Sequence, residues 1–131
     1  VAVDLIAAKI EQTFPSLRVD KVVLRQSLVS LKSSPQHFYR ERGNNVLAAQ
    51  TDNLPFSTRK QCALTIWIGS GEGVVMFREW MTWIKSRKAI RLATVTPLFE
   101  DARLGKILAR FGFRRVGAVF IWERGTNGKS I

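Results

Sequence analysis

The stretch Ile66–Phe77, IWIGSGEGVVMF, sets three glycines within five residues, between a run of strand-forming types and a run with helical spacing. The arrangement of the second half turns on this corner. Before it, Gln61–Ile68 (QCALTIWI) is rich in β-branched and aromatic residues and reads as a strand. After it, Phe77, Trp80, Met81 and Ile84 recur at the spacing of one helix face, with Arg78, Glu79, Thr82 and Lys85 outside that face. A loop rising from a strand into a helix exposes the unpaired amides of the first turn, and these attract phosphate oxygens. Gly69, Gly71 and Gly73 let the backbone approach an anion, and Ser70 can add a hydroxyl; the carboxylate of Glu72 repels one unless it points away. The same residues also read as a plain flexible corner. No Lys-Ser or Lys-Thr pair follows, so this is not a Walker loop.

Working away from this corner, the second half continues with a strand at Ala89–Thr96 (AIRLATVT) and a helix over Leu98–Phe111 (LFEDARLGKILARF) introduced by Pro97. Leu104, Ile107, Leu108 and Phe111 form that helix's apolar face, Arg103, Lys106 and Arg110 its basic face, and Gly112 its stop. Phe113–Arg124 (FRRVGAVFIWER) reads as a long final strand, and residues 125–131 as a frayed tail. In the first half, Asp4–Phe14 reads as a helix ending before Pro15, with Leu5, Ile6, Ala8, Ile10 and Phe14 available for burial. Val19–Lys32 fits a helical period through Val22, Val23, Leu24, Leu28 and Leu31, and helix is the favoured reading. Ser34-Pro35 followed by QHFYRER and Gly43 reads as a short capped helix, and Asn45–Gln50 (NVLAAQ) as a short strand. The order strand, glycine loop, helix, strand, helix, strand argues for an α+β class with a central mixed sheet flanked by helices.

The 131 residues suffice for one domain, and 46% apolar with 24% charged residues is a globular composition. No apolar run approaches the length, about 18 residues, of a membrane span. The first dozen residues read as an amphipathic helix rather than a signal peptide, so export is not expected. A single cysteine, Cys62, forms no internal disulfide, and one histidine, His37, is too little for a zinc site; the expected compartment is the reducing cytoplasm. The formal charge of +11 predicts attraction to polyanions: nucleic acid, an anionic cofactor or an acidic protein surface. Ten basic residues fall between Arg78 and Arg115 against Glu79, Glu100 and Asp101. A basic solvated face with no dedicated ligand is the alternative.

The run from Gln61 to Arg124 resembles the core of the GNAT superfamily of acyl-coenzyme A N-acyltransferases. In that family a strand leads into a loop patterned Gln/Arg-x-x-Gly-x-Gly/Ala, then a helix, a strand that splays from its neighbour, a further helix, and a closing strand that begins near Gly-Phe. TIWIGSGEGVVMFREWMTWIKSRKAIRLATV is similar to the first elements, and EDARLGKILARFGFRRVGAVFIWER to the last, with Gly112-Phe113 at the junction. Phage-encoded members are also similar through LPFSTRKQCALTIWI. The resemblance implies a GNAT-like domain with a variable N-terminal half (1–60), a cofactor-binding core (61–124) and a flexible tail (125–131). It implies acetyl-CoA or another acyl-CoA as cofactor: the backbone of Ile66 and Ile68 pairs with the pantetheine arm, and amides of Gly69, Ser70, Gly71, Gly73 and Val74 take the pyrophosphate. Asp101 occupies the position of the family's helix asparagine. The motif's Gln/Arg falls on Ile68 or Ile66, and the tyrosine that protonates the departing thiolate is replaced by Leu108.

An amine acyl transfer needs a route for the amine proton. The candidate carriers are Glu72 and, on the expected short helix, the trio His37, Tyr39 and Glu41, of which His37 and Glu41 are four apart and hence on one face. The competing reading of that trio is an ordinary exposed helix pair. Cys62 lacks a recognisable partner and is expected in the core. Two functions follow: an N-acyltransferase acting on an amine, its basic surface steering an acidic or nucleic-acid-linked acceptor, or a GNAT-fold protein without turnover, a structural or nucleic-acid-associated component such as part of a phage virion.

Overall fold

Helix α1, Ala2–Thr13, ends where Pro15 forbids continuation, with the Phe14 amide closing the last turn on the Ile10 carbonyl at 2.8 Å. The computed structural model describes residues 2–68, 73–96, 102–117 and 122–124. Ile6 and Ala7 are the buried residues of α1, whereas Ala8, expected inside, faces solvent. The ambiguous segment after it is helix α2, Lys21–Ser33. Asp20 resolves the ambiguity: its carboxylate accepts from the amides of Val22 (3.0 Å) and Val23 (3.3 Å), an N-cap worth about 1 kcal/mol. Leu28 and Leu31 are buried, while Val22 and Val23 are exposed.

The segment expected as a short helix is instead strand β1, Phe38–Arg42. Five residues are too few to repay helix nucleation, and the pairing with the next strand decides the matter. Gly43 does adopt the left-handed conformation expected of it, at φ 57°, but it does so in a two-residue hairpin loop with Asn44. Pro35 sits inside a turn closed by the His37 amide on the Ser34 carbonyl at 3.2 Å. Strand β2 runs from Asn45 to Asn53, longer than its sequence suggested, and β3 from Lys60 to Ile68. After the glycine corner come α3, Gly73–Lys85, and β4, Ile90–Val95.

The sheet order is β1-β2-β3-β4, antiparallel except for the parallel pair β3 and β4. This is the mixed sheet of an α+β fold. One face packs on α1 and α2, where Ile6, Leu28, Leu31, Val46 and Ala48 form a cluster that Tyr39, Ile66 and Ile68 border. The other carries α3, whose Met76, Phe77 and Trp80 are fully buried. Trp67 stacks on Phe77 at 4.9 Å, Phe77 meets Trp80 edge-on at 5.3 Å, and the Trp80 indole donates to Cys62 Sγ at 3.4 Å. Cys62 is thus the core residue expected.

A bulge sets which β3 side chains reach which layer. Ala48 pairs with Ile66 but Ala49 with Leu64, so Thr65 is one residue too many, and its hydroxyl donates to the Ala48 carbonyl at 3.0 Å. The alternation shifts by one residue there. Cys62 and Leu64 lie on the α3 side before it; after it Trp67 takes that side, while Ile66 and Ile68 turn to α1 and α2.

Residues up to Val95 form one compact unit and those from Thr96 a second. In the second, α4 spans Ala102–Arg110 and ends as the sequence predicts, Gly112 at φ 86° and the Phe113 amide returning to the Leu108 carbonyl at 3.0 Å. Leu104, Ile107, Leu108 and Phe111 are half-buried, and Lys106 and Arg110 exposed. The expected final strand is not formed by residues 113–117 or 122–124; residues 118–121 and the tail 125–131 lie outside the described residues.

Replacing Trp80 with alanine removes the largest fully buried side chain and is expected to cost about 3–5 kcal/mol, read as a lower midpoint in urea unfolding. An unchanged midpoint would contradict this account of the core.

Candidate functional site

The parallel pair β3–β4 is in register only from Lys60↔Ile90 to Leu64↔Val95. Beyond Leu64, strand β3 continues through the bulge residue Thr65 to Ile66, Trp67 and Ile68, which pair with β2 alone. Among the described residues no strand lies on the β4 side of these four positions, so main-chain polar groups directed there lack a ladder partner. Two of the expected cofactor-binding positions, Ile66 and Ile68, belong to this segment, and their side chains border the α1/α2 cluster. Gly73 and Val74 open α3. Gly69, Ser70, Gly71, Glu72 and Asp101 lie outside the described residues.

Gly73 has a steric reason of its own. The Trp67 indole donates to its carbonyl at 3.2 Å, and a Cβ built on Gly73 would sit 3.2 Å from the same indole nitrogen. The tryptophan therefore braces the start of α3, a role that the spacing of glycines did not reveal.

Tyr39 and Glu41, expected on a helix, lie two apart on β1 and so share a sheet face. The register places Tyr39, Ala48 and Ile66 in one row across the sheet and Glu41, Val46 and Ile68 in the next. The candidate proton carriers are therefore on the same rows as the open end of β3, about 10 Å away across two strand spacings. Their polar atoms are already engaged. The Tyr39 hydroxyl donates to Glu41 Oε1, and Lys32 Nζ from the last turn of α2 lies 3.2 Å from the same oxygen and 4.9 Å from the Tyr39 ring centre. Burial first, then the bond to Glu41, raises the Tyr39 hydroxyl above its ordinary value. The Tyr39 bond first, then Lys32, lowers Glu41. A tyrosine made less acidic and a glutamate made less basic are poorly matched to proton transfer near neutrality. The trio reads instead as a clasp between α2 and the outer strand.

His37 is not the partner of Glu41 that helical spacing predicted. Its Nδ1 accepts from the Thr51 amide at 3.1 Å, extending the β1–β2 ladder by one side-chain bond. Sequence reasoning also missed the ion pairs that Glu79 of α3 makes with Arg42 (3.0 Å) and Arg40 (3.7 Å); only the strand register brings these residues together. Burial pushes the Cys62 thiol up, which keeps it protonated and unreactive. Among the described residues there is no group of three His, Cys, Asp or Glu side chains arranged to hold a metal, and no helix long and apolar enough to cross a membrane.

No protein-family profile matches the chain, and no curated protein sequence does. Among solved structures the chain is similar to an integron cassette protein from the mobile metagenome of Cole Harbour Salt Marsh, with a TM-score of 0.65 at 10% identity over 95% of this chain and 83% of that one. The likeness is one of fold.

Because Glu41 is lowered from 4.5, the stability its pairing supplies is fully present above that value and is lost as pH falls through the lowered one. The wild type is therefore expected to lose more stability than Glu41→Gln between about pH 5 and pH 3, compared by thermal melts. Equal losses would show the clasp to be energetically idle.

Proposed function

We propose that the chain is an N-acyltransferase of the GNAT type, using acetyl-CoA or a related acyl-CoA as donor and an amine as acceptor. The observation that carries the reading is the four-residue length of β3, Thr65–Ile68, which no strand among the described residues flanks on the β4 side as it leads to the glycine corner. An extended amide-bearing arm is chemically suited to such an edge, because its own amides can complete the ladder bonds that a strand would otherwise supply. The neighbouring residues 69–74 lead into the start of α3, where amide groups and the helix dipole favour a diphosphate.

In this reading the main chain at Ile66 and Ile68 aligns the thioester, and the amine nitrogen attacks its carbonyl carbon. The carbon–sulfur bond breaks, coenzyme A leaves as the thiolate, and the proton released by the amine passes to solvent. Rate then comes from alignment rather than from a dedicated acid, which agrees with leucine at position 108 and with the engaged state of Tyr39 and Glu41. Slow turnover is the expected consequence.

Acetyl-CoA is expected to raise the melting temperature, since a ligand at about 100 times its Kd adds about 2.7 kcal/mol to the folded state. Gly71→Val, with Gly73 kept because of Trp67, is expected to abolish the shift while leaving the unliganded melt near that of the wild type. Absence of any shift at millimolar acetyl-CoA would sink the assignment. A shift without acetyl transfer to any amine in a thiol-release assay would leave a binding protein in place of an enzyme.

A further inference from the structure

The other end of the sheet carries a different chemistry. Strands β3 and β4 both begin there, side by side at Lys60↔Ile90, with the Lys60 amide bonded to the Ala89 carbonyl at 3.0 Å. Helix α3 ends there too, at Lys85, and the turn into β4 is closed by the Ile90 amide on the Arg87 carbonyl at 3.0 Å. The β2–β3 loop completes the surface. These elements gather Arg59, Lys60, Lys85, Arg87, Lys88 and Arg91, all exposed except the half-buried Lys60.

Four other cations of this unit have carboxylates as partners: Lys21 pairs with Asp4, Lys32 with Glu41, and Arg40 and Arg42 with Glu79. Among the described residues none of the six has such a partner. Asp52, opposite Gln61, is the carboxylate that the strand register brings nearest to this end. Six like charges on one surface, with no carboxylate partner among the described residues, favour a polyanion that can touch several at once.

Two aromatic groups sit among them. Phe56 is 81% exposed, although its loop is not slack: the Leu54 amide bonds to the Arg59 carbonyl at 3.0 Å, the Ser57 amide to the Leu54 carbonyl at 3.3 Å, and Leu54 itself is buried. The ring is held out in water by an ordered turn. Nearby in the chain, the Arg87 guanidinium lies over the Trp83 ring, 4.9 Å from its centre. A plain acidic polypeptide satisfies the charges but needs a separate apolar pocket to cover Phe56. A nucleic acid with unstacked bases uses both, phosphates on the cations and a base on the ring.

We propose that this end of the sheet, centred on Phe56 and the Arg87–Arg91 turn, is a docking surface for single-stranded nucleic acid. It lies the length of β3 from Ile68, about 26 Å, so it neither requires nor competes with the acyl-transfer reading.

The test is fluorescence anisotropy of the full chain with a labelled oligothymidylate of about 12 nucleotides, beside a duplex of equal length. The logarithm of affinity is expected to fall linearly with that of salt, by about 0.7 per phosphate contacted. Arg87→Gln/Lys88→Gln/Arg91→Gln should weaken binding at least about tenfold at low salt. Phe56→Ala should weaken the single strand about fivefold or more and leave the duplex unchanged. Unchanged affinity in the triple variant overturns the proposal, as does a Phe56→Ala variant that binds the single strand normally. Competition by a polyglutamate peptide as effective as that by the oligonucleotide overturns it in favour of an acidic protein partner.

Discussion

The sheet is held to α3 by one continuous run of side-chain contacts: Trp67 on Phe77, Phe77 on Trp80, Trp80 on Cys62. The first and last of these join the helix to β3, the strand that pairs with both β2 and β4, and the middle one ties the two anchors together within the helix. Burying rings of this size contributes roughly 1.5–3 kcal/mol apiece, more than any exposed ion pair of the molecule, which at the surface is worth about 0–1 kcal/mol. The position of α3 therefore follows from aromatic burial. The pairs of Glu79 with Arg40 and Arg42 tune the fit at its side. Because Trp67 is both the last inward ring of β3 and the brace of Gly73, the same contacts fix where the chain leaves the strand and where the helix starts.

That arrangement divides the unit into two ends with unlike properties. At one, β3 outruns β4 and, among the described residues, leaves main-chain groups without a strand partner; at the other, both strands begin beside a cluster of cations that have no carboxylate partner among the described residues. The clasp of Lys32, Tyr39 and Glu41 belongs to neither end. It secures the outer strand to α2 and makes the carboxylate a worse base, which moves the weight of the proposed chemistry from side chains onto the backbone.

Much of this architecture was legible in the sequence. The apolar spacing of α3, the β-branched and aromatic run of β3, the proline after α1 and the glycine stop of α4 are local signals, and each lies where expected. The misreading of Phe38–Arg42 as helix came from weighing Pro35 and Gly43 as caps, although Gly43-Asn44 between two runs with strand-forming residues is equally a hairpin signal. The bulge at Thr65 had no such cue. Nothing in QCALTIWI tells which residue is supernumerary, because that depends on the partner strand. The candidate site divides the same way: Ile66 and Ile68 were placed by their strand, whereas the engagement of Tyr39 and Glu41 required a lysine from another element.

The outer strand has one further consequence. Strand β1 borders the sheet, and among the described residues nothing pairs with its far side. A bare strand flank is a template on which another chain can polymerise. Here three consecutive charged residues, Arg40, Glu41 and Arg42, occupy most of that flank, and their side chains point alternately above and below it. A second molecule aligning there would have to strip water from these charges and accommodate them against its own backbone. The residues that bind α2 and α3 on the inside thus also guard the margin against self-assembly into fibrils.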